Sequence, residues 1–142
     1  MKKIINNEKG FILPLVLVVI ALLAGGVGYL LTQGMAELKA NVLNQDYELC
    51  ILTGKNALAV ARSELENDIN YRGTSGMQAD ENGGNYSIVI TVAAENYRFV
   101  DVKSNYGDFH KKFNGEIEII PKNDETSKGI VSTFKWKMLE AE

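Results

Sequence analysis

The sequence predicts an α+β protein: a long N-terminal helix packed on a four-stranded antiparallel β-sheet. Three observations lead there. Phe11–Leu31 is an uncharged apolar run near the N-terminus. Beyond it, Met35–Asn70 contains no proline and repeats its apolar residues at helical spacing. From about Tyr86 onward the apolar period changes from helical to two, the signature of strands.

The apolar run covers about 21 residues, which at a rise of about 1.5 Å per residue matches a hydrocarbon core of about 30 Å. Lys2, Lys3 and Lys9 precede it against a single Glu8, and the first charge after it is Glu37. That excess of lysine places the N-terminus in the cytoplasm and the remainder outside. The run is too long for the apolar part of a secretory signal peptide. Thr32-Gln33-Gly34-Met35-Ala36 offers a poor cleavage site, and no cysteine ends the run to receive a lipid. Gly10 and Pro14 bracket the start. A proline in the first helical turn removes no hydrogen bond, whereas deeper in a helix it costs about 3 kcal/mol, so the helix is expected to begin near Phe11. Gly25, Gly26 and Gly28 interrupt the run. They suit close helix packing or a point where the helix unwinds, since each interior glycine costs about 0.5–1 kcal/mol relative to alanine.

Tyr47, Ile51, Gly54, Leu58, Ala61, Leu65 and Ile69 then step by four and three, with Glu48, Lys55, Arg62, Glu66 and Asp68 off that seam. This is the stripe of a helix facing a core, with Gly54 and Ala61 letting the backbone approach it closely. Together the two segments give one helix of about 55–60 residues. Tyr71–Gly76 ends it, and Asp80–Asn85 forms a second polar loop. That loop's acidic and amide groups are of the kind that bind Ca²⁺, but their spacing does not match an EF-hand, and the loop is read as a solvated turn, with calcium binding left as the alternative.

Four strands follow. In the first, Tyr86, Ile88, Ile90 and Val92 share one face. Val100 and Val102 share a face within Tyr97–Ser104, as do Phe113, Ile117 and Ile119 within His110–Ile120. The last assigns Ile130, Phe134, Trp136 and Met138 to one face. Short links make an antiparallel meander the simplest topology. The expected layout is a leader over 1–10, a membrane segment over 11–31, an amphipathic outer helix over 32–70 and a β-domain over 71–142.

Composition narrows function. The net charge is −3, and the first ten residues contribute about +2 of it, so the outer part carries about −5. No basic field marks a nucleic-acid surface, and no direct nucleic-acid partner is expected. Cys50 is the only cysteine, so no internal disulfide forms; it is expected as a small buried hydrophobe on the helix. His110 is the only histidine, which leaves a zinc site dependent on carboxylates. No nucleophile elbow, phosphate loop or dinucleotide fingerprint is present. No catalytic residue, metal or cofactor is predicted, and the chain is not read as an enzyme.

Lys9-Gly10-Phe11-Ile12-Leu13-Pro14-Leu15, a short charged leader ending in glycine directly before a long apolar helix, resembles the type III signal sequence of type IV pilins and pseudopilins. The resemblance implies cleavage after Gly10 by a prepilin peptidase and N-methylation of Phe11. It also implies retention of the apolar helix, first as a membrane anchor and later as part of a filament core, with other pilins and an assembly platform as partners. Most members carry Glu at the fifth mature position, where it is thought to pair with a neighbour's N-terminal amine; here that residue is Leu15. The departure resembles minor subunits, including those at filament tips or acting as initiators. The strand pair over Tyr97–Ile120 is also loosely similar to minor pilins of Gram-positive bacteria. The alternative from another class is an uncleaved single-pass membrane protein whose outer domain binds a ligand or partner.

Overall fold

A computed structural model describes residues 9–122 and 127–139, with side chains described from Ile12 onward. Most of the predicted leader, residues 1–8 including Lys2 and Lys3, lies outside the described residues. One helix, α1, runs Lys9–Asn67 and is followed by five strands: β1 Gln78–Ala79, β2 Asn85–Val92, β3 Tyr97–Tyr106, β4 Phe109–Pro121 and β5 Gly129–Leu139. The fold class is therefore α+β, a long N-terminal helix packed on an antiparallel sheet. The chain divides into two units, Met1–Val42 and Leu43–Glu142.

The described part of the first unit is helix alone. Every side chain from Ile12 to Gln33 is exposed. α1 is long and apolar enough, near the N-terminus, to cross a membrane. Thr32, just past the apolar run, turns its Oγ1 back to donate to the Gly28 carbonyl at 2.9 Å. A hydroxyl that closes on its own helix keeps its polarity satisfied without water. The helix start departs from expectation. It begins at least as early as Lys9, two residues before Phe11, and Pro14 lies inside it. In the uncut chain, Pro14 therefore leaves the Gly10 carbonyl without its helical N–H partner.

The second unit holds the core. Leu58, Leu65, Ile88, Val100, Val102, Phe113, Ile117 and Ile119 are almost fully buried, with Ala57 and Ala61 at the helix surface between them. Buried small residues on the helix let it lie close to the sheet. A Cβ added at Gly54 would fall onto the Phe113 ring, so the glycine is required by contact and not by its φ angle. The sheet is a sequential meander, β1-β2-β3-β4-β5, with every neighbouring pair antiparallel. β3 and β4 close through Gly107-Asp108, where Gly107 adopts φ +54°. Glycine tolerates that left-handed conformation, and a two-residue turn with glycine first suits a twisted hairpin.

Three boundaries or faces differ from the sequence reading. The sheet has five strands because Gln78–Ala79 adds a two-residue strand to β2. Arg72–Thr74 also runs along that edge: Ile90 N donates to the Arg72 carbonyl at 3.0 Å, and Thr74 N to the Ile88 carbonyl at 2.9 Å. The helix ends at Asn67, three residues before the expected Asn70. Finally, Ile130 is exposed while Val131 is buried. The register between β4 and β5 slips between Glu118 and Ile119, which pair with Thr133 and Val131 and leave Ser132 as the extra residue. A bulge reverses the inward phase, so Ile130 cannot share a face with Phe134.

Candidate assembly surface and outer cleft

The first candidate surface is the helix of the first unit. Gly10 and Phe11 lie in its first turns, Pro14 follows within the same helix, and Leu15 is exposed. Gly10 and Pro14 both weaken helical bonding here, the first through backbone freedom and the second by lacking a donor. Gly25, Gly26 and Gly28 have nothing within 4 Å of where a side chain would stand. No packing among the described residues demands glycine there.

Exposed residues of the unit also form a regular row. Ala24, Gly28, Leu31, Met35, Leu38 and Val42 step by four and three. Met35, Leu38 and Val42 are 72%, 67% and 55% exposed, although each is apolar. Steps of four and three bring side chains onto one face of a helix, the arrangement that receives a second helix. In the second unit, Leu52 is likewise apolar and exposed. It is two positions from both Cys50 and Gly54, which are buried, and so lies on the opposite side of the helix from the core. Sequence reasoning identified only the core-facing seam. The signal for the second was present in the same spacing, read from Ala24 instead of Tyr47.

The second candidate is the sheet face turned away from the helix. Cross-strand pairing sets Thr91, Phe99, Glu116 and Lys135 in one row, and Asp101, Asn114 and Lys137 in the next. These residues line a shallow cleft of about 540 Å³ whose rim also includes Gly115 and Trp136. The Trp136 side chain itself is in register with Gly115 and Val100 on the helix-facing side, its ring edge-on to Phe113 at 6.0 Å. Phe99 is 46% exposed and Trp136 is 44% exposed. The Asn114 amide is oriented with Nδ2 donating to Asp101 Oδ1 at 3.2 Å. Opposite charges alternate across the cleft without closing on one another. Among the described residues the one ion pair is Arg62–Glu66 at 3.2 Å, on the helix. At the end of the face, Glu118 accepts from Tyr97 Oη at 3.2 Å and from Ser132 Oγ at 2.9 Å. The negative charge of Glu118, and its hydrogen bond, hold the Tyr97 phenol above its ordinary range.

Other residues singled out from the sequence prove structural. Cys50 is fully buried, its Sγ 3.5 Å from the carbonyls of Ser104 and Phe109. Ser104 Oγ donates to the Cys50 carbonyl at 2.9 Å, which joins helix and sheet. His110 is exposed, with Nδ1 2.9 Å from Asn105 Oδ1. Among the described residues no group of three or more His, Cys, Asp or Glu side chains converges on a metal site. The Asp80 loop is not the free turn expected of it. Asp80 accepts from Thr53 Oγ1 at 3.3 Å, from Asn56 Nδ2 at 3.3 Å and from Asn82 Nδ2 at 3.0 Å. Partial burial pushes its carboxyl up, but the hydrogen bonds from Asn82, Asn56 and Thr53 outweigh burial and leave it below the usual carboxylate range.

Arg98 was invisible as a site in the sequence, because it occupies a plain inward position on β3. It is only 7% exposed. Its Nη1 donates to the carbonyls of Ala94, Glu95 and Tyr97 at 2.9–3.1 Å, and Nη2 reaches the Ile69 carbonyl at 3.5 Å. The guanidinium thus ties the β2–β3 turn to the segment leaving the helix. Its Nε alone has no acceptor. Comparison of the chain with protein-family models, with curated proteins and with solved structures returned no match.

Proposed function

We propose that this protein is a minor type IV pilin or pseudopilin: a structural subunit cut after Gly10, held in the membrane by residues 11–31, and drawn into a filament by its exposed helix. One observation carries the reading. An apolar helix with no cover in its own chain follows directly on Lys9-Gly10-Phe11 and continues without interruption into a helix that carries a folded domain. A plain anchor needs only to span the bilayer. It has no need of exposed Met35, Leu38 and Val42 in helical register beyond the apolar run. A subunit whose neighbours supply further helices does need them.

The prepilin peptidase acts on the cytoplasmic side at Gly10-Phe11, and Phe11 becomes the methylated N-terminus. Cleavage also removes the conflict at Pro14. Once Phe11 is the first residue, Pro14 lies in the first turn, where no N–H is required. Leu15 cannot supply a carboxylate to a neighbour's amine, so the subunit joins at few positions, at the tip or as an initiator, and does not form the repeating shaft. The partners are other pilins and the assembly platform.

Two experiments test this. Substituting Gly10→Leu should block maturation in cells that contain the peptidase; normal maturation of that variant refutes the cut site. Quantification of purified filaments should find far fewer copies of this chain than of the major subunit, and equal abundance refutes the reading of Leu15.

A further inference from the structure

We propose that the free edge of β5 is a docking site for an extended segment of a partner protein, one that alternates apolar and acidic residues and joins the sheet as a further strand. The inference rests on the sheet alone and stands whether or not the helix enters a filament.

The two edges of the sheet differ. At one, β1 is two residues long, and the backbone of Arg72–Thr74 covers β2 beyond it through the bonds to Ile88 and Ile90. At the other, β5 runs for eleven residues without proline and pairs only with β4. Its second row of N–H and C=O groups faces no strand among the described residues, which makes it a template for a strand from elsewhere. The side chains select that strand. On the helix-facing side, Trp136 and Met138 stand opposite Gly115 and Phe113. The Trp136 ring is held edge-on to Phe113 at 6.0 Å, yet Trp136 and Met138 keep 44% and 36% of their surface exposed. A half-covered aromatic ring propped by the core suits an interface anchor, and it calls for apolar residues on that side of the incoming strand. On the outer side, Lys135 and Lys137 are the only charged residues of β5, in a chain of net charge −3. Among the described residues neither closes an ion pair. Lysines at an edge turn away strands that bring no acid, and they favour one that sets carboxylates opposite them. The same lysines argue against a second copy of this chain. Antiparallel pairing about Trp136 would set each Lys135 opposite the other copy's Lys137, and like charges so placed repel.

Trp136 is the only tryptophan in the chain, so its fluorescence reports directly on this edge. The full-length protein in nanodiscs of zwitterionic lipid, titrated with an end-blocked peptide alternating valine and glutamate, should show a saturable change in emission. The counterpart alternating valine and lysine should bind about tenfold more weakly or worse. So should a valine–glutamate peptide with one central proline, which lacks a ladder donor and so separates strand addition from plain charge attraction. Lys137→Glu should weaken the glutamate peptide and strengthen the lysine peptide. Its thermal unfolding should match the parent, because Lys137 is exposed and stands opposite the neutral Asn114. The absence of a saturable response to the valine–glutamate peptide overturns the proposal. So does equal binding of the proline or the lysine peptide, or a Lys137→Glu variant with both affinities unchanged. A second copy as the occupant overturns it too. Thr133→Cys chains should stay unlinked under mild oxidation, since the native Cys50 is fully buried, and disulfide-linked pairs would assign the edge to another copy of this chain.

Discussion

The two ends of α1 use the same helical geometry for opposite purposes. Toward its C-terminal end, Cys50, Gly54, Leu58, Ala61 and Leu65 are buried against the sheet, and the chain supplies its own partner surface. Nearer the N-terminus, from Ile12 to Val42, apolar side chains of equal size stay exposed. The first region stabilises a fold. The second stabilises nothing until a bilayer or another helix covers it. The glycines show the same division. Gly54 is required by the ring of Phe113, whereas a side chain at Gly25, Gly26 or Gly28 would meet nothing within 4 Å among the described residues. Burial, not residue type, separates the two regions.

Substitutions can break this contrast. The largest effect is expected at Leu65, which has no exposed surface. Leu65→Ala should destabilise the second unit by about 2–5 kcal/mol through lost transfer energy and the cavity left behind. Leu23→Ala should leave thermal unfolding of that unit unchanged. Equal losses at both sites, read by circular dichroism in nanodiscs, would erase the distinction.

Next comes glycine against glycine. Gly54→Ala adds one methyl group into the Phe113 ring and should cost about 1–3 kcal/mol, despite alanine's better helix propensity. Gly26→Ala meets nothing and should strengthen the isolated helix by about 0.5–1 kcal/mol. Opposite signs sharpen the comparison, and a gain at Gly54 would contradict the packing described for it. In a filament, the Gly26 variant should also report whether that site must pack closely or unwind. Reduced incorporation with unchanged folding is the expected result.

A smaller effect is expected at the loop that anchors the second unit. Asp80 binds Thr53 and Asn56 of α1, so Asp80→Ala should cost about 1 kcal/mol. The pH dependence has a definite sign. The folded carboxyl lies below its ordinary value of 3.8, so the unfolded chain takes up the proton first as pH falls. The stabilisation is complete above about pH 5 and is lost below pH 4, as the carboxylate protonates in the folded state too. A melting temperature measured between pH 7 and pH 3 should fall less steeply for Asp80→Asn than for the parent. Identical slopes would show that Asp80 carries no such linkage.

Much of this architecture was legible in the sequence, for physical reasons. Strands β2, β3 and β4 each bury one face, so buried apolar residues recur at every second position and the expected limits fell within two residues of those observed. The seam Gly54–Leu58–Ala61–Leu65 was equally plain, because one side of the helix meets the sheet. What failed lacked a periodic signal. The bulge at Ser132 changes phase within one residue, and nothing in Ile130–Phe134 announces it. Gln78–Ala79 is two residues long and polar. Thr53, Arg98 and Ser104 are buried polar groups whose partners are backbone carbonyls or a distant loop, contacts that no local pattern encodes. The outer cleft escaped for the same cause. Its residues come from four strands and gather only through cross-strand register.

The most direct measurement is the mass of the mature N-terminus, on protein isolated from membranes or filaments of cells that express the peptidase. The account predicts a chain beginning at N-methylated Phe11 that still contains residues 11–31. A chain that retains Met1–Gly10, or one that has lost the apolar helix, would contradict it.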